Sequence, residues 1–169
     1  PLLEMAFPVM RRRPERELLE FMRLVERLID ADGKTELFEY VLARLLNREI
    51  ETVLNPSRGT LAGRKTLGDR AEAVSDLIAI VAMHGHPEDL DSAKRACVQA
   101  LEGASGFPAP DPARFAERWP ERLDEILASL QALRPDARGE LIGMLVRCAR
   151  HDGEVVVAEY ELLRLVAGA

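Results

Sequence analysis

The sequence predicts an all-α multi-helix bundle of about 8–10 helices with an internally duplicated helix-turn-helix. One motif occurs twice, as Asp32-Gly33-x5-Glu39-Tyr40-x3-Arg44-Leu45 and as Asp152-Gly153-x5-Glu159-Tyr160-x3-Arg164-Leu165. In each copy an apolar stretch runs into Asp-Gly and a second begins near the Glu, the pattern of helix, tight turn, helix. Composition agrees: only 5% of the 169 residues are aromatic, and Leu, Ala, Glu and Arg dominate, which suits packed helices better than a sheet. With 47% apolar residues, the chain can build a core without disulfide or metal staples.

The elements follow from helical spacing and its breakers. Leu2, Leu3, Met5, Ala6, Val9 and Met10 form a short apolar segment interrupted at Pro8, ahead of Arg11-Arg12-Arg13. From Pro14, a good first-turn residue flanked by Glu15 and Glu17, the side chains Leu18, Leu19, Met22, Val25, Leu28 and Ile29 recur at helical spacing. After Asp32-Gly33, a helix runs from Glu36 to about Leu54, with Leu37, Val41, Leu42, Leu45 and Leu46 on one side, and Asn55-Pro56 stops it. Residues 55–68 hold Gly59, Gly63 and Gly68 without periodicity and are expected to be a mobile loop. A nearly wholly apolar helix from Asp69 through Met83 is expected at the centre of the bundle, and another spans about Glu88 to Leu101. Gly103 to Pro112 reads as a second linker, Trp119-Pro120 as a break, and Leu123–Leu133 and Asp136–Arg150 as helices before the second Asp-Gly. The chain is thus expected to be one all-helical domain, 1–169, with pseudo-repeats at 14–54 and 134–169. Its start at Pro1 and its stop just after a strong helix read as an excised C-terminal fragment.

The net charge of −6 argues against a nucleic-acid surface, which needs clustered cations. The exceptions, Arg11-Arg12-Arg13 and the group Arg58, Arg64, Lys65 and Arg70, read as solvated or helix-end charges, with membrane headgroups, RNA or another chain as alternatives. No apolar run nears the roughly 20 residues of a membrane span, and no signal peptide opens the chain. Cys97 and Cys148 lie within apolar helical patterns and are expected as buried free thiols.

The acidic motif invites a cation. Asp32, Gly33 and Glu39 fit positions 5, 6 and 12 of a calcium-binding EF-hand loop, with Asp30 at 3 and Glu36 at 9, but Leu28 fills position 1. In the second copy Cys148, Arg150 and Val156 fill positions 1, 3 and 9, so neither loop holds an ion by itself. Two readings stay open. In one, Asp-Gly makes the turn, Gly takes positive φ and the Glu sits at the positive start of its helix. In the other, Asp32, Glu39, Asp152 and Glu159 meet to form one acidic pocket for a divalent cation or a basic partner.

Tyr40 and Tyr160 are expected to pack against the partner repeat, and Arg44 and Arg164 to make inter-helix ion pairs. In His84-Gly85-His86-Pro87-Glu88-Asp89, His84 ends a helix, Gly85 is its left-handed terminator, and Glu88 and Asp89 begin the next. A third, decayed copy of the motif is considered at His84-Gly85-x5-Asp91. His151-Asp152 without a Ser or Cys nucleophile makes no triad. With no His-Glu-x-x-His, phosphate loop or Cys-x-x-Cys, no catalytic residue and no bound cofactor are assigned.

Ala149-Arg150-His151-Asp152-Gly153 through Glu159-Tyr160-Glu161-Leu162-Leu163-Arg164 resembles the tellurite-resistance TerB-like helical domains, in which an apolar helix, Asp-Gly and a Glu follow one another. The chain more closely resembles the C-terminal region of bacterial membrane zinc metallopeptidases related to the heat-shock protease HtpX and the prenyl-protein proteases. Leu28-Ile29-Asp30-Ala31-Asp32-Gly33 with Leu37-Phe38-Glu39-Tyr40 carries that likeness, as do Asp152-Gly153 with Glu159-x-Glu161-Leu162-Leu163-Arg164, Pro1-Leu2-Leu3-Glu4 and Ala82-x-x-Gly85-His86. The resemblance implies a regulatory or interaction domain of a bacterial inner-membrane protein, and Arg11-Arg12-Arg13 beside the apolar start point to its cytoplasmic face by the positive-inside tendency. Its partners would be its own upstream protease and transmembrane region, a second copy or another protein. The zinc and the His-Glu-x-x-His site of the parent would lie outside this chain, so none of that family's catalytic residues is carried onto it. The alternative is a freestanding TerB-like module that binds a divalent cation in a stress response.

Overall fold

The protein is described here by a computed structural model, which places residues 13–29, 36–54, 63–115, 119–151, 153 and 157–168. Seven α-helices and two 3-10 turns make up the described chain, and no strand occurs among the described residues. The fold is all-α. Two compact units divide it, Pro1–Leu61 and Ala62–Ala169. Of the sequence readings, the apolar segment at 2–10, the Asp32-Gly33 turn and the first half of the 55–68 loop lie outside the described residues.

The first unit contains α1 (Glu15–Ile29) and α2 (Leu37–Leu54), which pack on each other. Pro14 precedes α1 as expected, and its carbonyl accepts the Leu18 N–H at 3.2 Å. Glu15 and Glu17 place negative charge at the positive end of the helix. On α2 the buried side chains Leu37, Val41, Leu46 and Ile50 recur every three to five residues, the stripe that a helix must cover.

The second unit is built around α3 (Ala71–Gly85), which is packed against α4 (Leu90–Ala100), α5 (Trp119–Leu130) and α6 (Pro135–Ala149), while α7 (Val157–Gly168) lies on α6. Every residue from Val74 to Ala82 is buried, so the apolar run does take the centre of this unit. The run includes one charge, Asp76, and it is paired. Arg122 of α5 places Nη2 at 2.7 Å and Nε at 2.9 Å from its Oδ2, and Arg114 places Nη1 3.9 Å from Oδ1. Cys97 and Cys148 are buried free thiols.

Several boundaries differ from the sequence reading for local reasons. Gly85 is the last residue of α3 and has no positive φ. His86 ends the helix, its N–H donating to Ala82 O at 3.1 Å. The following helix starts at Leu90, two residues later than expected, because Asp89 accepts the Ser92 N–H at 3.0 Å as its N-cap. Those bonds to Ser92 hold the Asp89 carboxyl below its ordinary range. Trp119-Pro120 stands at the described start of α5, where a first-turn proline has no intrahelical N–H bond to lose.

Both stretches read as linkers are tied down where they are described. Lys65 donates its N–H to Ala132 O at 2.8 Å and accepts the Arg134 N–H at 2.9 Å, an isolated bridge to the α5–α6 connection. Gly63 lies so close to that connection that a Cβ would collide with the carbonyls of Ala132 and Leu133. In the second stretch Ser75 Oγ donates to Pro108 O at 2.9 Å, and the turn Pro112–Phe115 buries both of its end residues.

Candidate binding groove and the predicted acidic positions

Of the four acidic residues proposed for a cation, Glu39 alone has a described side chain. It occupies the third position of α2, and its Oε2 accepts the Glu36 N–H at 3.4 Å, the return half of a capping box. Asp32, Asp152 and the side chain of Glu159 lie outside the described residues. Among the described residues, no three His, Cys, Asp or Glu side chains are placed to share an ion. Gly153 does take the left-handed conformation, φ 85°, with its N–H on Arg150 O at 3.1 Å. α6 itself closes earlier, at Arg150, whose N–H donates to Val146 O at 3.0 Å.

The motif side chains part company. Tyr40 is buried, whereas Tyr160 is 55% exposed, because α7 turns Glu161, Leu162, Leu165 and Val166 inward and leaves position 160 outside. Both arginines expected between helices make a contact within their own helix. Arg44 lies over the Tyr40 ring at 5.0 Å, and Arg164 Nη1 donates to Glu161 at 3.0 Å.

An open groove of about 890 Å³ runs beside α4, lined by Lys94, Val98, Leu101, Ala109, Pro110 and His151. Its form follows from α4, whose buried side is made of small residues, Ala93, Ala96, Cys97 and Ala100. These allow the helix to sit close to α3 and α6, and Arg147 Nη2 fixes its end by donating to Ala100 O at 2.9 Å. The opposite side carries Leu90, Lys94 and Val98 at four-residue spacing, and Val98 is 75% exposed. Such exposure of an aliphatic residue on a rigid helix beside a groove is a binding feature when it is contiguous with other apolar surface. Here Leu101 and Pro110 supply it.

The chemistry of the groove is that of recognition. Burial pushes the Cys97 thiol up to about 12, with the Asp111 charge adding to it, so the thiol is protonated and unreactive at neutral pH. Lys94 and Arg95 bring positive charge to the lining and Glu102 negative. Arg95 is braced on Ser92 Oγ at 2.7 Å. His151 Nδ1 donates to Gln99 Oε1 at 2.7 Å, and both belong to the lining. The sequence held a usable sign of the groove, the alternation of a small-residue face with a Leu90, Lys94, Val98 face on α4. The loop residues Ala109 and Pro110 gave none.

No helix among the described residues is long and apolar enough to cross a membrane. Neither a scan of protein-family models nor searches of curated proteins and solved structures returned a match to this chain.

Proposed function

We propose that the chain is a non-catalytic helical interaction domain that regulates a membrane-bound zinc metallopeptidase, the peptide-bond hydrolysis being performed by a site outside these residues. The groove beside α4 is the observation that carries the interaction role. Its volume of about 890 Å³ falls within the range of ligand sites, and it joins exposed aliphatic surface at Val98 to the cations Lys94 and Arg95. That combination favours a peptide segment with an apolar anchor and an acidic flank. The likeness of Leu28–Gly33, Leu37–Tyr40 and Asp152–Arg164 to the metallopeptidase C-terminal region supports the parentage.

The test begins with the gene: a His-Glu-x-x-His motif and apolar spans encoded upstream of Pro1 are the expected finding. In that full-length protein, Val98→Asp should reduce cleavage of substrate as strongly as deletion of residues 1–169 does, without changing the zinc content of the protease. Cleavage unaffected by both changes would remove the regulatory role. The acidic cation site is a separate proposal with a separate test. At about 100 times its dissociation constant, calcium, magnesium, manganese or zinc should add about 2.7 kcal/mol to stability, and the Asp32→Asn/Asp152→Asn double variant should lose the gain.

A further inference from the structure

We propose that His86 and His151, the latter also lining the groove, form a binding site for a zinc-class transition-metal ion, independent of the acidic motif. Two segments far apart in sequence bring these imidazoles together. His86 is the residue that ends α3, and His151 is the second residue beyond α6. Their ring centres are 5.7 Å apart and the planes stand at 88°. With metal–nitrogen bonds of about 2.0–2.1 Å, two imidazoles on one tetrahedral ion have centres roughly 5 Å apart, close to the separation of this pair.

Three further features favour a cation there. Gln99 Oε1 accepts from His151 Nδ1 at 2.7 Å, which leaves Nε2 with its lone pair free for a metal and fixes the ring, the usual second bond of a ligating histidine. Both histidines stand at the C-terminal ends of helices that pack on each other, where the unpaired carbonyls favour positive charge. Both histidines are half-buried. Imidazole donors select zinc, nickel or copper over calcium or magnesium, which need oxygen. His84 takes no part, since its ring is spent edge-on against Trp119 at 4.6 Å. Two protein ligands leave the remaining positions of the ion to water.

Calorimetric titration of the purified chain with zinc, and with cobalt as an optical probe, tests the assignment. One ion per chain is expected, with binding abolished in His86→Ala and in His151→Ala, and weakened about tenfold in Gln99→Leu. The Asp32→Asn/Asp152→Asn variant should bind as the parent chain does. Circular dichroism melts establish that each variant is folded, and imidazole-type scattering at the zinc absorption edge provides a readout that needs no variant. No binding by the parent chain, or binding that survives either histidine substitution, would overturn the proposal. So would loss of binding in the acidic variant alone, since that would place the ion at the Asp-Gly motif.

Discussion

In α2 the motif tyrosine, Tyr40, is 7% exposed and lies under the Arg44 guanidinium, whereas in α7 its counterpart Tyr160 is 55% exposed. The other positions shift with it. Leu162 and Leu165 are buried in the second copy, while their counterparts Leu42 and Leu45 are half-buried in the first. Glu161, where the first copy has Val41, is buried in an ion pair with Arg164. The shared residues therefore do not fix which face the helix hides, and residues between them decide it. A turn is local and needs only Asp, Gly and a capping Glu, but burial depends on the neighbour that covers the helix.

The largest expected difference between the copies is at the tyrosines. Tyr40→Ala should destabilise the first unit by about 3–5 kcal/mol, as the removal of a buried aromatic side chain does. Tyr160→Ala should stay within about 0.5 kcal/mol, as an exposed position does. Urea unfolding followed by far-ultraviolet circular dichroism reads both. Equal costs would mean that the two helices bury the same face, and the comparison would fail.

That contrast marks how far the sequence could be read. The core helix α3 was legible because Val74 to Ala82 offers only Ser75 and Asp76 as polar interruptions, and a helix apolar on all sides has to be internal. Helix ends were legible to within a few residues wherever Pro or Asp punctuates them. Gly85 misled because glycine permits the left-handed conformation without requiring it, and here the His86 N–H closes the helix first. The groove and the His86–His151 pair were not legible. They depend on α3, α4 and α6 ending near one another, a long-range outcome that no local pattern encodes.

His84-Gly85 extends the comparison to the site considered as a third copy. Its glycine is helical, unlike Gly153, and its histidine is half-buried against Trp119 with a buried Nε2 lacking a hydrogen-bond partner among the described residues. Burial lowers the His84 pKa from 6.5 to about 4. The unfolded chain therefore binds a proton between these values that the folded chain refuses, so stability is full above pH 6.5 and falls as the pH drops toward 4. The expected loss is about 2 kcal/mol at pH 5, read from the fluorescence of Trp119, the single tryptophan. His84→Leu should flatten this dependence. A slope unchanged in that variant would assign it to other groups and leave the third site without a distinct property.

The motif arginines give a smaller contrast. Arg164→Ala removes the partner seen for the buried Glu161 carboxylate and should cost about 2 kcal/mol. Arg44→Ala removes a cation–π contact over Tyr40 and should cost about 0.5–1 kcal/mol. If Glu161→Gln restores stability to the Arg164→Ala chain, the cost belongs to the unpaired charge and not to lost packing of the arginine stem.

The smallest effect probes what the copies are expected to share. Gly153 has φ 85° and open space around the missing Cβ, so Gly153→Ala adds no clash and the whole penalty is conformational, about 1 kcal/mol. The sequence expects the same of Gly33, which lies outside the described residues. Measured side by side, Gly33→Ala and Gly153→Ala should cost equal amounts. A neutral Gly33→Ala would show that the first turn does not use the left-handed conformation. The likeness between the copies would then reach only to the capping glutamate, and the proposal that paired turns build one cation pocket would lose the symmetry on which it depends.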